Sequence, residues 1–235
     1  MKDFEISATQ SSSGVEVKGR SGRGGWRFFS WSDVDVHFTV TVPHSYNVKV
    51  HTSGGNVSVN DLKGTVRTQT SGGDLALTDI EGDVDVTTSG GKIELERLSG
   101  NTQARTSGGD IMVTSTTGDV DVRTSGGDVR LKDTAGRVRA KTSGGNIAVR
   151  LKGDNKGIFA ETSGGNIDIA VAPSIAATVE AETSGGDVNC DLPLTVVGKV
   201  KETRINGTIN GGGSTIHAHT SGGNVRIRAL DGDMR

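Results

Sequence analysis

The sequence is short of most of what builds an ordinary globular core. It has one cysteine, Cys190, so an internal disulfide is excluded. Aromatic residues make up 3% and hydrophobic residues 32%, which argues against one thick core gathered from long apolar segments. Only three prolines interrupt the chain, leaving long stretches in which backbone N–H groups can enter a continuous ladder. No run of 18 apolar residues occurs, which excludes a membrane-spanning helix within this stretch. The formal net charge is −2, which gives no reason to expect nucleic acid or bulk attraction to an anionic membrane.

Glycine is abundant instead, at 36 residues, and it is periodic. Thr-Ser-Gly-Gly begins at Thr52, Thr70, Thr88, Thr106, Thr124, Thr142, Thr162, Thr183 and Thr220. The first five steps are 18 residues, and the next are 20, 21 and 37. A tetrapeptide held in phase this way marks a repeating structural unit. Each unit divides into two halves in which apolar and polar residues alternate, the pattern of a half-buried strand.

Between units the alternating positions form columns. One inward column begins Val57, Leu75, Ile93, Ile111, Val129, Ile147 and Ile167, and its companion runs Val59, Leu77, Leu95, Val113, Leu131, Val149 and Ile169. In the other half the columns run through Val66, Val84, Thr102, Val120 and Val138, and through Thr68, Val86, Ala104, Val122 and Ala140. Like residues stacked on like residues predict an all-β fold, a parallel β-solenoid of about ten 18-residue coils with two strands each. The usual crossover rule favours right-handed winding. Antiparallel hairpins in a β-sandwich are the rival all-β reading, but a sandwich gives no reason for identical spacing or for columns.

The domain reading is a single domain: an N-terminal β cap at 1–51 continuous with solenoid repeats at 52–235, with an irregular insertion at about 187–215. Seven of the eight aromatics lie in the cap. Strands are expected at 4–8, 15–18, 26–31, 34–42 and 46–51, with a Ser- and Gly-rich loop at 11–25. The cluster would plug one open end of the solenoid, or Trp26, Phe28, Phe29 and Trp31 would form a binding platform for a sugar or a protein. After Gly165 the spacing lengthens. The expectation there is a protruding loop at about 192–204 and a last rung at 224–230.

The Thr-Ser-Gly-Gly units, the lead-in segments Phe38-Thr39-Val40-Thr41-Val42-Pro43 and Tyr46-Asn47-Val48-Lys49-Val50, and the late Gly207-Thr208-Ile209-Asn210-Gly211-Gly212-Gly213 together resemble the bacterial adhesin domain family, β-strand repeats of unknown function. That resemblance covers nearly the whole chain. It implies a β-solenoid-like fold, an extracytoplasmic or cell-envelope setting with any signal or anchor outside this stretch, and no catalytic residues to transfer. A cytoplasmic setting is the alternative.

Candidate chemistry is sparse. The column after Gly-Gly reads Asn56, Asp74, Lys92, Asp110, Asp128, Asn146, Asn166, Asp187 and Asn224. A lysine within it argues for turn capping over a calcium ladder. His217 and His219 alternate on one strand and would need further ligands to hold a metal. Carboxylates are spread over many coils with no distinctive pair, so neither cofactor nor catalytic residues are expected. Basic residues crowd the middle coils, and Arg130, Lys132 and Arg150 are the candidate contact for a polyanion. The function expected is a non-enzymatic, adhesin-like interaction module binding a protein or an envelope polymer, with possible self-association through the solenoid ends. A regulatory or sensory part in an envelope-stress system is the alternative, and a polysaccharide-active β-helix enzyme ranks third.

Overall fold

The computed structural model describes residues 4–11, 14–21, 37–196 and 201–230. Twenty strands and no helix occur among them. Two compact units are present, Met1–Thr41 and Val42–Arg235. In the first, β1 (Phe4–Ser11) and β2 (Gly14–Ser21) form an antiparallel hairpin in which Phe4 pairs with Ser21 and Ser11 with Gly14. The strand expected at 15–18, where Val15 and Val17 supply the alternation, is present and runs over Gly14–Ser21, so the loop expected at 11–25 is strand over much of its length. No strand forms over 37–42, where one was expected.

The second unit is a parallel solenoid. Its strands are β3 (Val48–His51), β4 (Val57–Lys63), β5 (Val66–Gln69), β6 (Leu75–Glu81), β7 (Val84–Thr87), β8 (Ile93–Ser99), β9 (Thr102–Arg105), β10 (Ile111–Thr116), β11 (Val120–Arg123), β12 (Val129–Lys141), β13 (Ile147–Thr162) and β14 (Ile167–Val171). They continue with β15 (Ala177–Thr183), β16 (Val188–Cys190), β17 (Thr195–Val196), β18 (Arg204–Ile209), β19 (Thr215–Thr220) and β20 (Val225–Ala229). Leu75 pairs with Ile93, and Ile93 with Ile111, all in parallel register, so the columns are vertical neighbours. β3 to β14 wind about seven turns in chain order, and β15–β16 and β19–β20 add two more, slightly fewer than the ten expected.

Each turn buries a narrow apolar spine in which Leu75, Leu77, Val84 and Val86 are at most 2% exposed. A further column was missed by alternation: Leu62, Ile80, Leu98, Thr116, Thr134 and Leu151 are also buried. The residue before five of them adopts a left-handed backbone, at Asp61, Asp79, Arg97, Ser115 and Asp133, with φ from 53° to 58°. That one conformation bends the strand and resets the alternation, so the next inward side chain comes three residues after the last. Aspartate tolerates this region better than most residues, which suits three of the five positions.

The Thr-Ser-Gly-Gly corner is held by a repeated bond pair. In a typical turn Thr88 Oγ1 donates to the Gly73 carbonyl of the preceding turn at 2.9 Å and accepts the Gly91 N–H at 3.2 Å. Beside it, the Asn/Asp column caps the next turn: Asp110 Oδ1 accepts the Asp128 N–H, Asp128 Oδ1 the Asn146 N–H, and Asn146 Oδ1 the Asn166 N–H. These oxygens serve the backbone, which accounts for the column without calcium.

Chain order and spatial order part company after β14. β19 lies between β13 and β15, and β20 lies between β14 and β16, all in parallel. The C-terminal pair is thus an inserted rung, not the last one. β18 then runs antiparallel along the far side of β15, and β17 antiparallel to β18. The marker spacing of 37 residues reflects this excursion.

Candidate functional site

On a solenoid, residues alternating with the core form outward columns. On the stack of β10, β12, β13, β14 and β20, one such column runs Met112, Arg130, Ala148, Asp168 and Arg226, and its neighbour includes Thr114, Lys132, Arg150, Ala170 and Arg228. A shallow depression lies here, with Met112, Ala148 and Ala170 in its floor and Arg130, Lys132, Arg150 and Arg228 around it. Met112 is 40% exposed, one of few large apolar side chains so placed. The three basic residues singled out from the sequence do come together.

Their charges are largely answered from within. Arg130 reaches Asp128 at 2.6 Å and Asp110 at 3.4 Å. Arg150 meets Asp133 at 3.1 Å, and Arg228 meets Asp168 at 3.0 Å. Among the described residues Lys132 has no ion-pair partner. The site therefore offers an apolar floor, a set of fixed Arg–Asp pairs and one available ammonium, a mixed surface and not a strong cationic field.

A second cluster sits on the other stack, where the inserted strand brings distant residues together. The Phe159 and His217 rings stack with centroids 4.8 Å apart and 12° between planes. The Arg139 guanidinium and the Lys141 ammonium each lie 4.9 Å from the Phe159 ring centre. Lys141 also pairs with Glu161 at 2.6 Å and holds that carboxyl below its usual range, while His217 Nδ1 is 3.5 Å from Glu180. Sequence reading missed this cluster, because Phe159 and His217 are neighbours only through the inserted rung. Trp26, Phe28, Phe29 and Trp31 lie outside the described residues. Cys190 is half-buried, and burial pushes its thiol above the ordinary value.

A family model described as Toastrack DUF4097 matches residues 3–228. The chain belongs to the Toastrack DUF4097 family. Toastrack is a domain of unknown function with a β-helix-like fold, which agrees with the stacked coils and assigns no activity to either cluster. No curated protein and no solved structure matches the chain. The polar side chains that recur in this Toastrack solenoid, the threonines of the Thr-Ser-Gly-Gly marker and the Asn/Asp column, are engaged in holding turn to turn, and no three His, Cys, Asp or Glu side chains among the described residues form a metal-holding group.

Proposed function

We propose that this Toastrack domain is a non-enzymatic, adhesin-like interaction module of the bacterial cell envelope, and that it docks a protein partner on the depression around Met112, Lys132 and Ala148. The observation that carries this is the exposed Met112 on an apolar floor, ringed by guanidinium groups already paired with aspartates. Such a surface suits a partner that inserts an apolar side chain and sets a carboxylate against Lys132. A polyanion needs unpaired cations along its length, and the Arg–Asp pairs oppose that. The solenoid scaffold suits the role because side chains on paired strands are held at fixed spacing.

The test is site-specific photo-cross-linking in the cell of origin. A cross-linker at position 112 yields one discrete adduct that disappears with K132E, whereas the same group at position 67, on the other stack, yields none. Equal adduct patterns from 112 and 67 reject the docking face. Binding to an anionic envelope polymer that vanishes with added salt and ignores Met112 would favour the polyanion reading instead.

A further inference from the structure

The inserted rung implies a site that precedes it. With β15–β16 two strand positions beyond β13–β14, the space between them is a slot with unpaired N–H and C=O groups on both sides, and β19–β20 fills it. The fit extends to the corner: Thr220 Oγ1 donates to Gly165 O at 2.8 Å on one side, and Thr183 Oγ1 donates to Gly223 O at 2.7 Å on the other. Asn224 takes part in the Asn/Asp column in both directions, its N–H donating to Asn166 and its Oδ1 accepting from Asp187. The slot thus recognises a strand, a Thr-Ser-Gly-Gly turn and a second strand in parallel register.

We propose that this slot is an exchange site for the β19–β20 segment of a second copy of the chain. Within one copy the segment reaches its slot by a tight link. β18 and β19 flank β15 on opposite sides, so residues 210–214 must pass over the start of β15. The link hugs that strand: Asn210 donates to the carbonyls of Pro173 and Ile175, and Thr178 Oγ1 donates to Gly213 O. Asn210, Gly211 and Gly212 hold φ of 49°, 83° and 89°. If the link opens, β19–β20 becomes an arm tethered to β18, whose complement is the vacated slot of another molecule. The occupant is a second copy because the arm carries both the strand residues and the turn that the slot pairs with. Reciprocal exchange closes a symmetric dimer.

The sole cysteine provides the test. Cys190 on β16 is the register partner of Ile227 on β20, within range of a disulfide between neighbouring strands. A donor chain carrying C190S and I227C is refolded with unmodified chain from denaturant under oxidising conditions. A bond between the two chains forms only if the donor's β20 enters the other copy's slot. The mixed disulfide is expected to be minor at about 1 µM and a major product near about 1 mM, where a partner competes with the tethered segment. A donor with C190S and R226C, its thiol on the outward face, gives none. Absence of the mixed product at every concentration, or equal yield from position 226, overturns the proposal. A second pair, V188C with C190S against V225C with C190S, reads the same geometry through Val188 and Val225.

Shortening the link tests it independently. Removing Gly211, Gly212 and Gly213 leaves three Cα steps, about 11 Å, to cover two strand spacings of about 9.6 Å and to clear β15. That leaves no slack within one copy, so the shortened chain should elute at twice the monomer mass with its β-sheet spectrum intact. A folded monomer, or loss of the spectrum, overturns the proposal.

Discussion

Alanine at Gly91 and alanine at Gly90 should differ sharply, although the two glycines are neighbours in one marker and neither has its φ in the left-handed region. A Cβ on Gly91 would lie 1.9 Å from the Gly73 carbonyl oxygen, 2.5 Å from its carbon and 2.9 Å from the Asp74 nitrogen. These are backbone atoms of the turn below, so no side chain can swing away. Ordinary contact begins near 3.4 Å, so the turns must part by roughly 1.5 Å at this corner. The bonds there include Gly90 N–H to Ser71 O at 3.1 Å, Thr88 Oγ1 to Gly73 O at 2.9 Å and Lys92 N–H to Asp74 Oδ1 at 2.7 Å. Losing two or three such bonds, at about 1 kcal/mol net each, costs about 2–3 kcal/mol. Reduced freedom of the unfolded chain returns up to about 1 kcal/mol. At Gly90 the same atom would meet nothing nearer than 3.9 Å, so only the unfolded-state gain remains. Far-UV circular dichroism melts should show Gly91→Ala lowering the midpoint by about 2–12 °C, from a net loss of about 1–3 kcal/mol at about 2–4 °C per kcal/mol for a chain of this size. Gly90→Ala should leave it unchanged or slightly raised. Equal effects at the two positions would refute the claim that turn-to-turn stacking selects the second glycine.

Three further outcomes follow from other parts of the solenoid. Thr102 stands between Val84 and Val120 with a buried hydroxyl that has no hydrogen-bond partner; Thr102→Val should stabilise the protein by about 1 kcal/mol in urea unfolding. Glu161 should titrate below its ordinary value of 4.5 in an NMR pH series and return toward it in Lys141→Met. Because its folded pKa is depressed, the stability it lends is present above the unfolded pKa and is lost as pH falls through the folded one. Cys190, with its thiol pushed up by burial, should alkylate more slowly at pH 8 than a free thiol and reach the free rate in denaturant.

The periodic part of the fold was legible because repetition makes each column its own control. Val, Leu and Ile recur at the same offset from Thr-Ser-Gly-Gly, and register pairs Leu75 with Ile93 as that spacing requires. The column through Leu62, Ile80 and Leu98 was hidden because the left-handed residue before each member breaks strict alternation. Aligning the repeats by offset from the marker, without imposing a period of two, would have exposed it. The inserted rung could not be read from spacing at all. Thr183 and Thr220 each carry an intact marker, and nothing local in either says which stacks on Thr162. The choice depends on whether 191–214 can double back, which is a tertiary property. For the candidate site, the gathering of Arg130, Lys132 and Arg150 followed from the period. The pairing of Arg130 with Asp110 and Asp128, and of Arg150 with Asp133, depends on side-chain direction, which the period does not fix.

The insertion also bears on how a repeating chain stops. A parallel solenoid whose last coil presents a complete edge invites another coil of the same kind, from its own chain or from a neighbour. Here the strand beyond β15 runs the other way, and the one beyond it, β17, is two residues long. An arriving parallel coil meets reversed hydrogen-bond geometry on one stack, and on the other a three-residue β16 whose Val188 N–H already donates to the Glu202 carbonyl at 2.7 Å. Placing β19–β20 inside the stack lets the chain form that antiparallel stop and still fill nine two-strand turns, seven in order plus two exchanged in position. The cost is kinetic, because contacts such as Thr220 with Gly165 join residues 55 apart and close only after a long loop has formed. The same arrangement that terminates growth at the end of the solenoid leaves its last-filled position as the place where one copy can meet another.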